Sequence, residues 1–99
     1  MLKLPPGLQT LDVSYRRISG GVDLTALPVS LSELMLNNTK LEGHVDFSSL
    51  PDALYRFSVA ETRLSGALAV PVGRLFLSAN SNVHREEEGW DKRLDDIEL

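Results

Sequence analysis

Apolar residues recur along this chain at a fixed interval of 23 positions between residues 4 and 68. Leu8, Leu31 and Leu54 stand in register, then Leu11, Leu34 and Phe57, then Val13, Leu36 and Val59. Ile18, Leu41 and Leu64 follow, then Gly20, Gly43 and Gly66, then Val22, Val45 and Leu68. Leu-Pro steps at Leu4, Leu27 and Leu50 open the three units. Self-similarity of this length is the mark of a solenoid, in which each unit buries its apolar face against the next. The pattern Leu-x-x-Leu-x-Leu ends in apolar–polar alternation, which predicts a short strand with one face inward. The glycine marks a turn. Val22-Asp23-Leu24 and Val45-Asp46-Phe47 then alternate again before a proline closes the unit.

Residues 31–41, LSELMLNNTKL, align with the pattern Leu-x-x-Leu-x-Leu-x-x-Asn-x-Leu, and Ile18-Ser19-Gly20 and Leu64-Ser65-Gly66 follow in phase. On these residues about 80 of the 99 positions resemble the leucine-rich-repeat family. The Leu-Pro openings and the Val-Asp-Leu of the outer arm are similar to those of its protist members. The resemblance implies an α/β solenoid, a right-handed superhelix of β-α type with a short parallel sheet on the concave face. It also implies little regular helix in the outer arms. The family's asparagine position reads Arg16, Thr39, Thr62 and Asn80, which implies a weaker ladder in the first unit.

The array is expected over residues 1–83, as units of about 4–26, 27–49 and 50–67 and a shortened unit over 68–83. Aligning Val72-x-x-Leu75-x-Leu77-x-x-Asn80 with its predecessors leaves the fourth unit five residues short in the outer arm. Residues 84–99 break the repeat and form an acidic tail or cap. Trp90, Leu94 and Ile97 share one helical face there, so a C-terminal helix is one expectation.

Stacked strands place equivalent residues in columns on the concave face. One column is expected to read Thr10, Glu33, Arg56, Arg74, and the next Asp12, Met35, Ser58, Phe76. A third reads Ser14, Asn37, Ala60, Ser78. Glu33 and Arg56 are adjacent rungs placed to pair, Arg74 has no acid beside it, and Met35 and Phe76 are apolar groups of the kind that anchor interfaces. The first two columns are the candidate partner-binding residues. Tyr15, just past the first strand, occupies the place of Asn38 and Glu61, where its ring is expected to pack on the rim, with contact to a ligand as the alternative.

Charge narrows the partner. Residues 1–83 carry seven acids and seven bases, so the net charge of −4 lies wholly in residues 84–99. A neutral array without a cationic stripe argues against nucleic acid. No apolar run approaches the ~20 residues of a membrane span. The absence of cysteine rules out disulfides and thiolate metal sites, and with no signal-peptide pattern points to the cytoplasm.

Candidate chemistry is sparse. Asp23 and Asp46 occupy equivalent places and stand near one another, but on a solvated convex arm with no cleft. His84 and Glu88 have the spacing of two helical metal ligands without a third. No nucleophile elbow or phosphate loop is present. The Asn37-Asn38-Thr39 glycosylation acceptor is expected to stay unmodified. These features describe a protein-interaction module with no catalysis, cofactor or metal. A structural segment of a larger leucine-rich-repeat protein, with no binding role of its own, is the alternative.

Overall fold

In a computed structural model, residues 5–87 are described, and they form a parallel-strand solenoid of about four coils. The first strands of the coils, β1 (Thr10–Asp12), β3 (Glu33–Met35), β5 (Arg56–Ser58) and β7 (Leu75–Leu77), make one sheet in that order. The second strands, β2 (Ser19–Gly20), β4 (Lys40–His44), β6 (Arg63–Val70) and β8 (Asn82–Glu87), make another. Every pairing is parallel.

The corner between the two sheets follows from local chemistry. Tyr15, Asn38, Glu61 and Asn80 occupy one corner position, all with φ between 56° and 59°. Asparagine tolerates this left-handed geometry better than most residues, which suits Asn38 and Asn80. The next residue points inward and satisfies the strand it has left. The Thr39 hydroxyl donates to the Leu36 carbonyl at 2.9 Å, Thr62 to Val59 at 2.6 Å and Ser81 to Ser78 at 2.5 Å. In the first coil this place holds Arg16, which is exposed.

The core is a stack of aliphatic columns threaded by all three phenylalanines. Leu31, Leu34, Leu36, Leu54, Phe57, Val59, Leu64 and Leu68 are fully buried. Phe57 meets Phe47 edge-on at 6.0 Å and Phe76 at 5.5 Å. Such edge-to-face contacts add about 0.5–1.5 kcal/mol each beyond the area they bury.

Among the described residues there is no helix, so the α component of the expected α/β class is not seen. The outer arms instead alternate with period two: Val45 and Phe47 point inward while Asp46 and Ser48 point outward. That periodicity suits an extended chain, not a helical one. Asp23 and Asp46 accept the amides of Thr25 and Ser48 at 2.9 Å, and these Asx turns bend the arm where a helix would start. The expected C-terminal helix lies outside the described residues. The second sheet runs on to Glu87, past residue 83.

The fourth coil differs in phase from the expected alignment. Phe76, not Leu75, is the partner of Phe57, so this coil takes 19 positions where the earlier ones take 23, a shortening of four and not five. One of the four lost positions lies between the proline turn and the strand. The Leu54 amide closes a turn onto Pro51 and the Arg74 amide closes one onto Pro71, yet Leu75 comes four positions after its proline where Arg56 comes five after its own.

Candidate functional site

The outward face of the first sheet carries one continuous side-chain surface. Its first column reads Thr10, Glu33, Arg56, Leu75, and its second Asp12, Met35, Ser58, Leu77. Thr10, Asp12 and Arg56 are exposed, and Glu33 and Met35 are partly buried. Leu75 and Leu77 are 51% and 43% exposed, and Tyr55, just ahead of β5, is 48% exposed. Polar and charged groups thus dominate at β1, Arg56 keeps β5 charged, and apolar groups gather at β7 with Tyr55 just ahead of β5. Parallel pairing on both sides of β3 and β5 fixes the spacing of these groups.

Two expected members of this face lie elsewhere. Phe76 is only 4% exposed and completes the aromatic stack, because the one-residue slip turns it inward and turns its neighbours Leu75 and Leu77 out. Arg74 lies before the strand, at the end of the inward column Leu8, Leu31, Leu54. Its guanidinium donates to the Leu54 carbonyl at 2.5 Å instead of reaching outward. The third column shifts likewise: Ala79 follows Ser14, Asn37 and Ala60, and Ser78 is buried. Ser58 is on the expected face but 1% exposed, a small side chain between the larger Met35 and Leu77.

Glu33 and Arg56 are rung neighbours as expected. The Glu33 carboxylate, however, takes the Tyr55 hydroxyl at 2.7 Å. This bond, and then the carboxylate's charge, push the Tyr55 phenol above its ordinary range. Asp12 is held below the usual carboxylate range, first by the Ser14 hydroxyl, then by its amide, and further by the charges of Arg16 and Arg56. It therefore presents an anion at the polar end of the face. Tyr55, Leu75 and Leu77 were missed by the sequence alignment. Asn80 carried the signal, since it matches Asn38 only if the fourth coil is moved by one residue.

Tyr15 is 76% exposed, at the rim of the first coil. Asp23 and Asp46 each lie below the ordinary carboxylate range, chiefly through Thr25 and Ser48, and the Asp46 charge acts to raise Asp23, so the two are electrostatic neighbours. Among the described residues, no group of three His, Cys, Asp or Glu side chains is placed to hold a metal ion. None of them forms a helix long and apolar enough to cross a membrane. The Asn37 amide nitrogen donates to the Asn38 side chain at 2.9 Å, and Thr39 is buried, so the glycosylation acceptor is folded into a corner. No known protein family, curated protein or solved structure matches the chain.

Proposed function

We propose that the chain is a leucine-rich-repeat-like solenoid, with strands in its outer arms, that binds a protein partner through the outward face of its first sheet. One observation carries this reading: Tyr55, Leu75 and Leu77 expose apolar surface together, beside partly exposed Met35, on a sheet that holds them rigid. These apolar and aromatic anchors, flanked on one side by Asp12, Glu33 and Arg56, combine the residue types of an interface core with those of its polar rim. Recognition works by surface complementarity and uses no cofactor or catalytic step. A cysteine-free composition suits a reducing compartment, and the cytoplasm is the proposed location.

The test uses the chain as bait in a cell extract, with Leu75→Ser plus Leu77→Ser as the face variant and His44→Ser plus Ser65→Ala on the second sheet as control. The reading expects a specific protein held by the wild type and the control and lost by the face variant. Equal retention by all three baits overturns the assignment of the face.

A further inference from the structure

The two ends of the solenoid are built differently. At the β7–β8 end three inward columns turn polar, while Phe76 keeps the column of Phe57 apolar. Arg74 follows Leu54, Ser78 follows Val59, and Arg85 stands opposite Leu68. Arg74 donates to the Leu54 carbonyl, and Arg85 donates to the Phe76 carbonyl on the sheet edge and lies 3.4 Å from the Ser78 hydroxyl. At the β1–β2 end the same columns stay apolar. Leu8, Leu11, Val13, Ile18 and Val22 pack against the core yet are only partly buried.

Among the described residues β1 pairs only with β3, and its other edge is complementary to itself. The Gln9 carbonyl accepts from Glu33 and the Val13 amide donates to Met35, so the odd-numbered residues turn their backbone groups toward β3. Backbone groups alternate along a strand, which leaves the N–H and C=O of Thr10 and Asp12 facing that other edge. If two copies of Thr10-Leu11-Asp12 meet antiparallel about a two-fold axis at Leu11, each Thr10 lies opposite the other copy's Asp12. Such opposed residues exchange both backbone bonds. The same register sets the Thr10 hydroxyl beside the ionised Asp12 carboxylate, keeps the two Asp12 charges apart, and joins the cores through Leu11.

The other end offers no such fit. Head-to-tail stacking would set Arg74, Ser78 and Arg85 against Leu8, Val13 and Val22, and taking charged groups from water onto an apolar surface is costly. We propose that the chain forms a closed two-fold dimer through its β1–β2 end, with β1 of one copy pairing antiparallel with β1 of the other. A closed isologous contact uses up the apolar end and leaves no further edge of that kind. It shares Thr10 and Asp12 with the polar end of the partner-binding face, lies away from the Leu75 and Leu77 end, and does not depend on that reading.

Sedimentation velocity on the whole chain, from roughly 1 to 200 µM to span micromolar dissociation constants, reads the dimer directly. Thr10→Pro removes only an edge-facing N–H and weakens the dimer at least about tenfold, while Leu77→Ser leaves it unchanged. The chain has no cysteine, so Leu11→Cys, on the axis, forms an interchain disulfide under mild oxidation and Leu77→Cys does not. A monomer across the whole range, an open-ended ladder of larger species, or a dimer indifferent to a folded Thr10→Pro overturns the proposal. If Thr10→Pro loses its β-sheet dichroism, the cysteine pair decides alone, and equal cross-linking at both positions overturns it.

Discussion

The Tyr55 hydroxyl donates to the Glu33 carboxylate at 2.7 Å, tying adjacent coils together on the outward face of the first sheet. The bond favours the neutral phenol, so Tyr55 keeps its proton above its ordinary value of 10.0. Because the folded value is raised, its contribution to stability is present below pH 10.0 and is lost as pH rises through the folded value. In a Tyr15→Phe background, alkaline absorbance titration should place Tyr55 above 10.0, and Glu33→Ala should bring it back toward that value. A midpoint at or below 10.0 with Glu33 intact would show that the bond is not formed.

Gly66 and Gly43 occupy equivalent places in β6 and β4 but should not be equally replaceable. Gly66 has φ +136°, and a Cβ there would lie 2.4 Å from the Val45 carbonyl oxygen and 3.0 Å from the Phe47 ring. Gly43 has φ +99° with open space around it. Gly66→Ala should therefore cost about 3 kcal/mol or more, and Gly43→Ala about 1 kcal/mol from backbone conformation alone. Urea unfolding of the two variants checks the difference, and equal losses would mean that the coils do not approach so closely at Gly66.

The inward corner hydroxyls make a second pair of opposed expectations. Thr62→Val keeps the shape but leaves the Val59 carbonyl without the bond it accepts at 2.6 Å, a loss of about 1–3 kcal/mol. Arg16→Thr places the same hydroxyl in the coil that lacks it, and should gain about 0.5–1 kcal/mol. Thermal melts of both variants measure the signs. A neutral Thr62→Val would remove the corner from the list of stabilising features.

Asp23 and Asp46 are held below 3.8 by neighbouring donors, while the Asp46 charge pushes Asp23 the other way. With depressed folded values, what they contribute to stability is present above pH 3.8 and is lost as pH falls through the folded values. Carboxylate chemical shifts should give both midpoints below 3.8, and Asp46→Asn should lower the Asp23 midpoint further. An unchanged Asp23 midpoint would place the two arms too far apart to interact.

The sequence made the stacking legible because three in-phase units leave little freedom: Leu34 and Phe57 align, and the structure pairs them. The second sheet was harder to see. Lys40-Leu41-Glu42-Gly43-His44-Val45 alternates as a strand does, yet its glycine also reads as a turn. The fourth coil misled for a physical reason. Leu75 and Leu77 reproduce the Leu-x-Leu of an inward strand, and only packing against Phe57 reveals that Phe76 between them is the buried residue. Two candidate site residues, Arg74 and Phe76, were misplaced by that single step, and Leu75 and Leu77 were overlooked by it.

The phase of the fourth coil decides which side chains form the proposed binding face, and comparing Phe76→Ala with Leu75→Ala in chemical denaturation tests it most directly. Phe76 is 4% exposed and Leu75 is 51% exposed. Phe76→Ala should cost about 3–5 kcal/mol through the cavity it leaves, and Leu75→Ala less than about 1 kcal/mol. A Leu75→Ala loss equal to or greater than that of Phe76→Ala would contradict this register and, with it, the face built on Leu75 and Leu77.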